Sequence, residues 1–307
     1  MFLLQEYIDK HTIPGVVTFA ENEFGLVYAT ITSDACKAVV YLQGAHLTEW
    51  CPADQKPVLF LSKHSMFAPG KAIRGGVPII FPWFGPRTAN QFSSRTDGPS
   101  HGFARTSKWT LVEAKVKDKD VVLHLTLSPD DTTRSLGYDA FQLGYKITVG
   151  ETLTLDLTVE NKSTEPMFFE EALHSYFYVD DARQVTIYGL ADTDYLDKTD
   201  ESKRKHQDET ALSLTGETDR PYLDTVAVVE VNDSVLRRQT IVSKENSKTT
   251  VVWNPWSEVT SKLIDMEPDG WQKMVCVETA NALDNAVTLA PGESHTMSAR
   301  VVVKKPS

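Results

Sequence analysis

Cysteine is scarce in this chain: Cys36, Cys51 and Cys276 are the only three among 307 residues. Their number is odd and no C-x-x-C spacing occurs, which argues against a disulfide framework and a zinc site and implies reduced thiols. Long apolar runs are also missing. The opening MFLLQEYIDK meets Glu6 and Asp9 before a signal-peptide core could form, and no later run reaches membrane-spanning length. The C-terminal KKPS carries no peroxisomal tripeptide. The expectation is a cytoplasmic protein with no membrane partner. Positive charge is in deficit, the formal net charge being −11. An acidic surface repels nucleic acid, so a local group of arginines would serve a small anion. Neither a P-loop nor a dinucleotide fingerprint is present, which disfavours nucleotide chemistry. No internal repeat and no Pro- or Ser-rich linker divides the chain, so residues 1–307 read as one domain.

Strand signals dominate what is there. YKITVGETLTLDLTVENKS alternates Ile147, Val149, Leu153, Leu155, Leu157 and Val159 about Gly150, the pattern of a hairpin with one buried face. VVLHLTL (121–127), TVAVVEV (225–231), SVLRRQTIV (234–242), KTTVVW (248–253) and HTMSARVVVKK (295–305) repeat the theme, with Asn232-Asp233 and Lys244-Glu245-Asn246 as turns. Many short strands without intervening helical periodicity predict an all-β protein, a large antiparallel β-sandwich with few short helices. One helix is expected near PWSEVTSKLIDM, capped by Ser257, and the charged stretch 198–210 is expected to be an exposed loop.

Several residues stand out chemically. In FFEEALHSYFYV (168–179), period-two alternation puts Glu170, Ala172, His174, Tyr176 and Tyr178 on one face, an imidazole on an aromatic floor. That arrangement suits a ring-shaped ligand, although a half-buried structural histidine satisfied by a neighbour is the commoner use of such a pattern. Glu278, after the apolar start of MVCVETAN, is either a strand-end carboxylate reaching water or a buried one that needs a partner or a task. Arg74 beside Gly75-Gly76 and Arg105 in SHGFAR would clamp an anion if they converged, the glycines letting backbone approach the ligand; singly, each is an ordinary salt-bridge arginine. Phe81, Trp83, Phe84, Trp253 and Trp256 lie in proline-bounded segments and could stack on sugar faces or pack in the core.

Taken together and in order, RGGVPIIFPWFG, HGFAR, EEALHSYF, GETDRPY, VVWNPW and VCVETAN resemble the hexose-6-phosphate mutarotase branch of the aldose 1-epimerase family. The resemblance implies a galactose-mutarotase-type β-sandwich, a monomer without cofactor or metal, that interconverts the α and β anomers of a hexose 6-phosphate. By matched position, His174 and Glu278 are the catalytic pair, Arg74 and Arg105 hold the phosphate, and His101 and Asp219 contact substrate. Ser100 stands where relatives often carry Gln. In the chemistry this implies, ionised Glu278 is the base at the anomeric hydroxyl and His174, kept protonated by Glu170 or another carboxylate, is the acid at the ring oxygen. A mutarotase of free aldoses and a non-catalytic carbohydrate-binding sandwich are the competing readings, and a glycoside hydrolase would want a second carboxyl astride the bond.

Overall fold

Most of the alternating runs become antiparallel strands in a computed structural model, which describes residues 2–91 and 93–304; of TVAVVEV only 229–231 is strand, and Lys244 and Glu245, expected in a turn, end the strand Arg238–Glu245. Phe141–Val149 and Leu153–Asn161 form the expected hairpin, paired from Phe141 opposite Asn161 to Val149 opposite Leu153. They belong to a nine-stranded sheet that also contains Asp120–Leu127, Val229–Asp233, Arg238–Glu245 and Ser294–Lys304.

An eight-stranded sheet carries the site. Its order runs from Lys203–His206 through Asp194–Asp197, Thr218–Tyr222, Thr249–Asn254 and Met274–Asn281 to Glu171–Leu173 and Ile79–Ile80, with Tyr176–Tyr178 also paired to Met274–Asn281. Leu155, Leu157 and Val301 of the larger sheet share one hydrophobic cluster with Leu173, Phe177, Val252 and Val277 of this one. Each such side chain contributes roughly 1.5–3 kcal/mol on full burial, so the shared core, not the strand hydrogen bonds, holds the sheets together. A four-stranded sheet, Val17–Glu21 to His46–Pro52, joins the same cluster, and its buried Trp50 donates from Nε1 to Gly150 O at the hairpin turn, 3.2 Å.

Several local expectations are corrected. Within 198–210, Lys203–His206 is an edge strand paired with Asp194–Asp197. Lys203, Arg204 and His206 are exposed, and a charged edge strand shows no apolar alternation to read. Asn232 and Asp233 end a strand, and the turn lies at 234–237, where Asp233 Oδ1 accepts from Val235 N at 2.9 Å and Leu236 N at 2.8 Å. The helix near residue 257 is only Trp256–Thr260, and Asn254 Oδ1, not Ser257, accepts from its first N–H, at 2.9 Å. A further helix, Phe2–His11, packs its buried Tyr7 against the core. All three cysteines are free. Among the described residues no helix is long and apolar enough to cross a membrane. Lys305, Pro306 and Ser307, the terminal tripeptide, lie outside the described residues.

Candidate active site

Register builds the site. Glu171–Leu173 and Tyr176–Tyr178 are separate strands, yet both pair with Met274–Asn281 in one continuous register, Leu173 opposite Thr279 and Tyr176 opposite Cys276. His174, in the gap between them, therefore falls opposite Glu278. On the other side Val251 opposes Glu278, Trp253 opposes Cys276, and Asp219 opposes Trp253. Cross-strand partners share a sheet face, so Asp219, Trp253, Cys276, Tyr176, Glu278 and His174 all project away from the face occupied by Val252, Val277, Leu173 and Phe177 in the core.

The face is the floor of a cleft of about 530 Å³ lined by Arg74, Phe84, Ser100, His101, Arg105, His174, Lys198, Asp219, Trp253 and Glu278. All six predicted site residues are thus brought together. His174 Nε2 lies 3.4 Å from Glu278 Oε1, longer than a strong hydrogen bond. His174 Nδ1 and Glu278 Oε2 are buried without hydrogen-bond partners, although these residues are only 7% and 1% exposed. Buried polar atoms are rarely left unpaired, so the floor presents unused donors and acceptors. The imidazole stacks on Tyr176 at 4.7 Å and 9° and meets the edge of Trp253 at 5.9 Å, which fixes its plane.

The arginines differ in how they are held. Arg74 donates from Nη1 to Tyr176 OH at 3.1 Å, and its Nη2 lies 3.1 Å from Asp265 Oδ2. Arg105 donates from Nη2 to the Ser100 carbonyl at 2.8 Å, and no carboxylate forms a salt bridge to it among the described residues. The glycines beside Arg74 do not face a ligand. A Cβ on Gly75 would come within 2.4 Å of Phe60 O, and one on Gly76 within 2.3 Å of Leu47 O. They let strands approach closely, and the φ of 114° at Gly75 is one that side-chain-bearing residues rarely adopt, while Gly76 at 61° is left-handed.

Electrostatics reverse one expectation. Burial, and then His101, Arg105 and Arg74, push the His174 pKa well down, while burial and then Asp219 push the Glu278 carboxyl well up against Lys198 and Arg105. Both shifts disfavour an imidazolium–carboxylate pair and favour a neutral imidazole beside a protonated carboxyl. Glu170 does not protonate His174: its carboxylate accepts from Phe84 N at 2.8 Å and Leu283 N at 2.7 Å, and so serves the loops. His101 is held neutral, pushed down to about 3 by burial and by Arg105, Lys198 and Arg74. Its Nδ1 accepts from Gly85 N at 3.1 Å, which leaves the ring proton on Nε2. Burial raises the Asp219 carboxyl, against Lys198.

Of the aromatics, Phe84 and Trp253 line the cleft, whereas Phe81 and Trp83 belong to the core and Trp256 packs on Trp271 at 4.3 Å. Two site contributors escaped the sequence. Lys198 sits with its Nζ 4.7 Å above the Phe84 ring and its N–H donating to Asp219 O at 3.0 Å, yet it opens a stretch that reads as plain solvent-facing charge. Asp265 reads as one more polar residue of a helix that stops short of it.

Residues 28–301 match the Aldose 1-epimerase family model. An Escherichia coli K12 protein provisionally named glucose-6-phosphate 1-epimerase is 34% identical over 271 residues, 88% of each chain. One from Cenchrus ciliaris under the same provisional name is 31% identical, over 84% of this chain and 78% of its own. A crystal structure provisionally described as a mutarotase from Salmonella typhimurium superposes with TM-score 0.88 at 31% identity, over 96% of both chains. Galactose 1-epimerase from Lactobacillus acidophilus shares the fold, with TM-score 0.71 at 16% identity over 95% of this chain and 99% of its own. With the family match extending over the same strands that carry the cleft floor, the chain belongs to the aldose 1-epimerase family.

Proposed function

We propose that this protein interconverts the α and β anomers of a hexose 6-phosphate, with D-glucose 6-phosphate as substrate. The observation that carries the reading is the His174–Glu278 pair, 3.4 Å apart with an unpartnered atom on each, on a floor overlooked by two guanidiniums. A pair that shares one proton is at once an acid and a base, which is what pyranose opening requires.

Neutral His174 takes the proton from the anomeric hydroxyl while the Glu278 carboxyl gives its proton to the ring oxygen. The C1–O5 bond breaks as the C1–O1 double bond forms. The imidazolium and carboxylate then face each other at contact distance, which limits the cost of creating both charges in a buried site. Rotation about C1–C2 exposes the other carbonyl face, and reclosure returns both protons. Each positioned proton transfer contributes roughly 10²- to 10⁴-fold, enough for a reaction that water already performs slowly. Arg105 and Arg74 bind the 6-phosphate, His101 donates from Nε2 to a sugar hydroxyl, Asp219 accepts from another, and Trp253 and Phe84 cover the apolar faces.

The same reading takes residues 1–307 as one domain, supported by the core common to the sheets, and a monomer in the cytoplasm, supported by the family resemblance and by cysteines left free. NMR exchange spectroscopy between the anomers of glucose 6-phosphate tests it. Enzyme-independent exchange rates after buffer subtraction would refute it.

A further inference from the structure

The gap between His174 and Glu278 has a second chemical use. Cys276 lies two residues before Glu278 on the same strand face, opposite Tyr176, and ligand atoms of His174, Cys276 and Glu278 all lie within 4.8 Å of one another. Two ligands on one tetrahedral zinc ion, with bonds of about 2.0–2.3 Å, sit about 3.3–3.8 Å apart. The Nε2–Oε1 separation of 3.4 Å already has that value. Closing the thiol onto the same centre takes about an ångström, within the reach of a side-chain rotation.

We propose that His174, Cys276 and Glu278 form a binding site for a single thiophilic divalent cation, zinc foremost, that inhibits the enzyme by occupying both acid–base groups. Three observations support it. The set of one imidazole, one thiol and one carboxylate is the borderline-soft donor combination that zinc takes and magnesium or calcium does not. All three residues are buried, at 7%, 0% and 1% exposure, so the ligands are preorganised by the sheet and lose little freedom on binding. The ligating atoms Glu278 Oε1 and His174 Nε2 face each other at 3.4 Å, beyond a strong hydrogen bond, so an ion entering between them displaces only that long contact.

The fourth position faces the cleft, where water, or an oxygen of a sugar, would complete the tetrahedron. Coordination sends the thiol proton and the shared proton of the pair to solvent. Arg74, Arg105 and Lys198 oppose a dication here, while Asp219 and Asp265 favour it. The balance points to reversible occupancy rather than a permanent structural ion. Chain spacing conceals this site, because His174 precedes Cys276 and Glu278 by about a hundred residues and only strand pairing brings the three together.

The inhibitory consequence rests on the proposed function, but the site itself does not, and cobalt(II) separates the two. Chelator-treated protein is titrated with cobalt chloride and followed by absorption. The expected result is one equivalent bound, with intense thiolate-to-cobalt charge transfer and tetrahedral ligand-field bands, both erased by zinc. Cys276→Ser should remove the charge-transfer band, Cys276→Ala should do the same if the serine variant folds poorly by circular dichroism, and Glu278→Gln should weaken cobalt binding at least tenfold. A band that survives loss of Cys276 belongs to Cys36 or Cys51 and overturns the site, as does the absence of any band at millimolar cobalt. For the consequence, zinc should abolish anomer exchange, relative to the same protein's metal-free rate, and EDTA should restore it. Zinc bound through Cys276 with exchange unchanged overturns inhibition while leaving the site, and a protein without exchange activity still answers the optical question.

Discussion

Removing Arg105 should cost the enzyme its preference for a phosphorylated sugar while sparing its fold. Its guanidinium donates to one carbonyl, Ser100 O, and has no salt-bridge partner among the described residues, so truncation unpairs little. A hydrogen bond to a charged group is worth about 1.5–3 kcal/mol, which at 1.4 kcal/mol per decade lowers kcat/KM for glucose 6-phosphate roughly 10- to 150-fold. Free glucose, with no phosphate to lose, should change by less than about threefold, the level of an ordinary surface substitution. Arg74 should behave differently, because Arg74→Ala strips partners from Asp265 and from Tyr176, the ring under His174. It should depress turnover of both sugars and lower the melting temperature by an amount corresponding to about 1–3 kcal/mol. The assay is anomer exchange by NMR on both sugars for Arg105→Ala, Arg74→Ala and the parent, with melting curves beside it. Equal fractional losses on the two sugars in Arg105→Ala would refute the phosphate clamp and place the enzyme among mutarotases of free aldoses.

His174→Ala and Glu278→Gln should each slow exchange roughly 100-fold or more with folding preserved, and a variant retaining near-full exchange with unchanged substrate affinity would remove that residue from the mechanism. A pair that works with one proton gives a bell-shaped pH–rate profile whichever partner carries it, falling on the acid side as the pair gains a second proton and on the alkaline side as it loses its only one. The location is read instead by infrared difference spectroscopy, where the substrate-free protein at neutral pH should show a protonated-carboxyl stretch that Glu278→Gln abolishes; its absence would return the proton to His174. His295, whose Nε2 is 3.0 Å from buried Glu171, has its pKa raised first by that hydrogen bond. Its contribution to stability is therefore complete below the unfolded value near 6.5 and is lost as pH rises through the higher folded value. The melting temperature should fall over that rise more in the parent than in His295→Gln, and parallel curves would show the pair to be inert.

Much of this architecture is legible in one dimension. Side-chain period two and turn chemistry are local properties, so the 141–161 hairpin and the alternation through His174, Tyr176 and Tyr178 follow from the residues alone. The ordered blocks from Arg74 to Asn281 likewise carried the family resemblance and the six residues that meet in the cleft. What chain order could not decide is register and burial. That His174 stands across from Glu278 depends on strands more than a hundred residues apart pairing at one register. A slip of one residue would have turned every floor side chain into the core. The protonation of the pair is likewise tertiary, since desolvation and the field of Arg74 and Arg105 come from segments distant in sequence, and they overrule the local proximity of Glu170 that the sequence suggests. Lys198 and Asp265 joined the site only because an edge hairpin and a post-helix loop close over it, and nothing in their own neighbourhoods distinguishes a charge facing a substrate from one facing water.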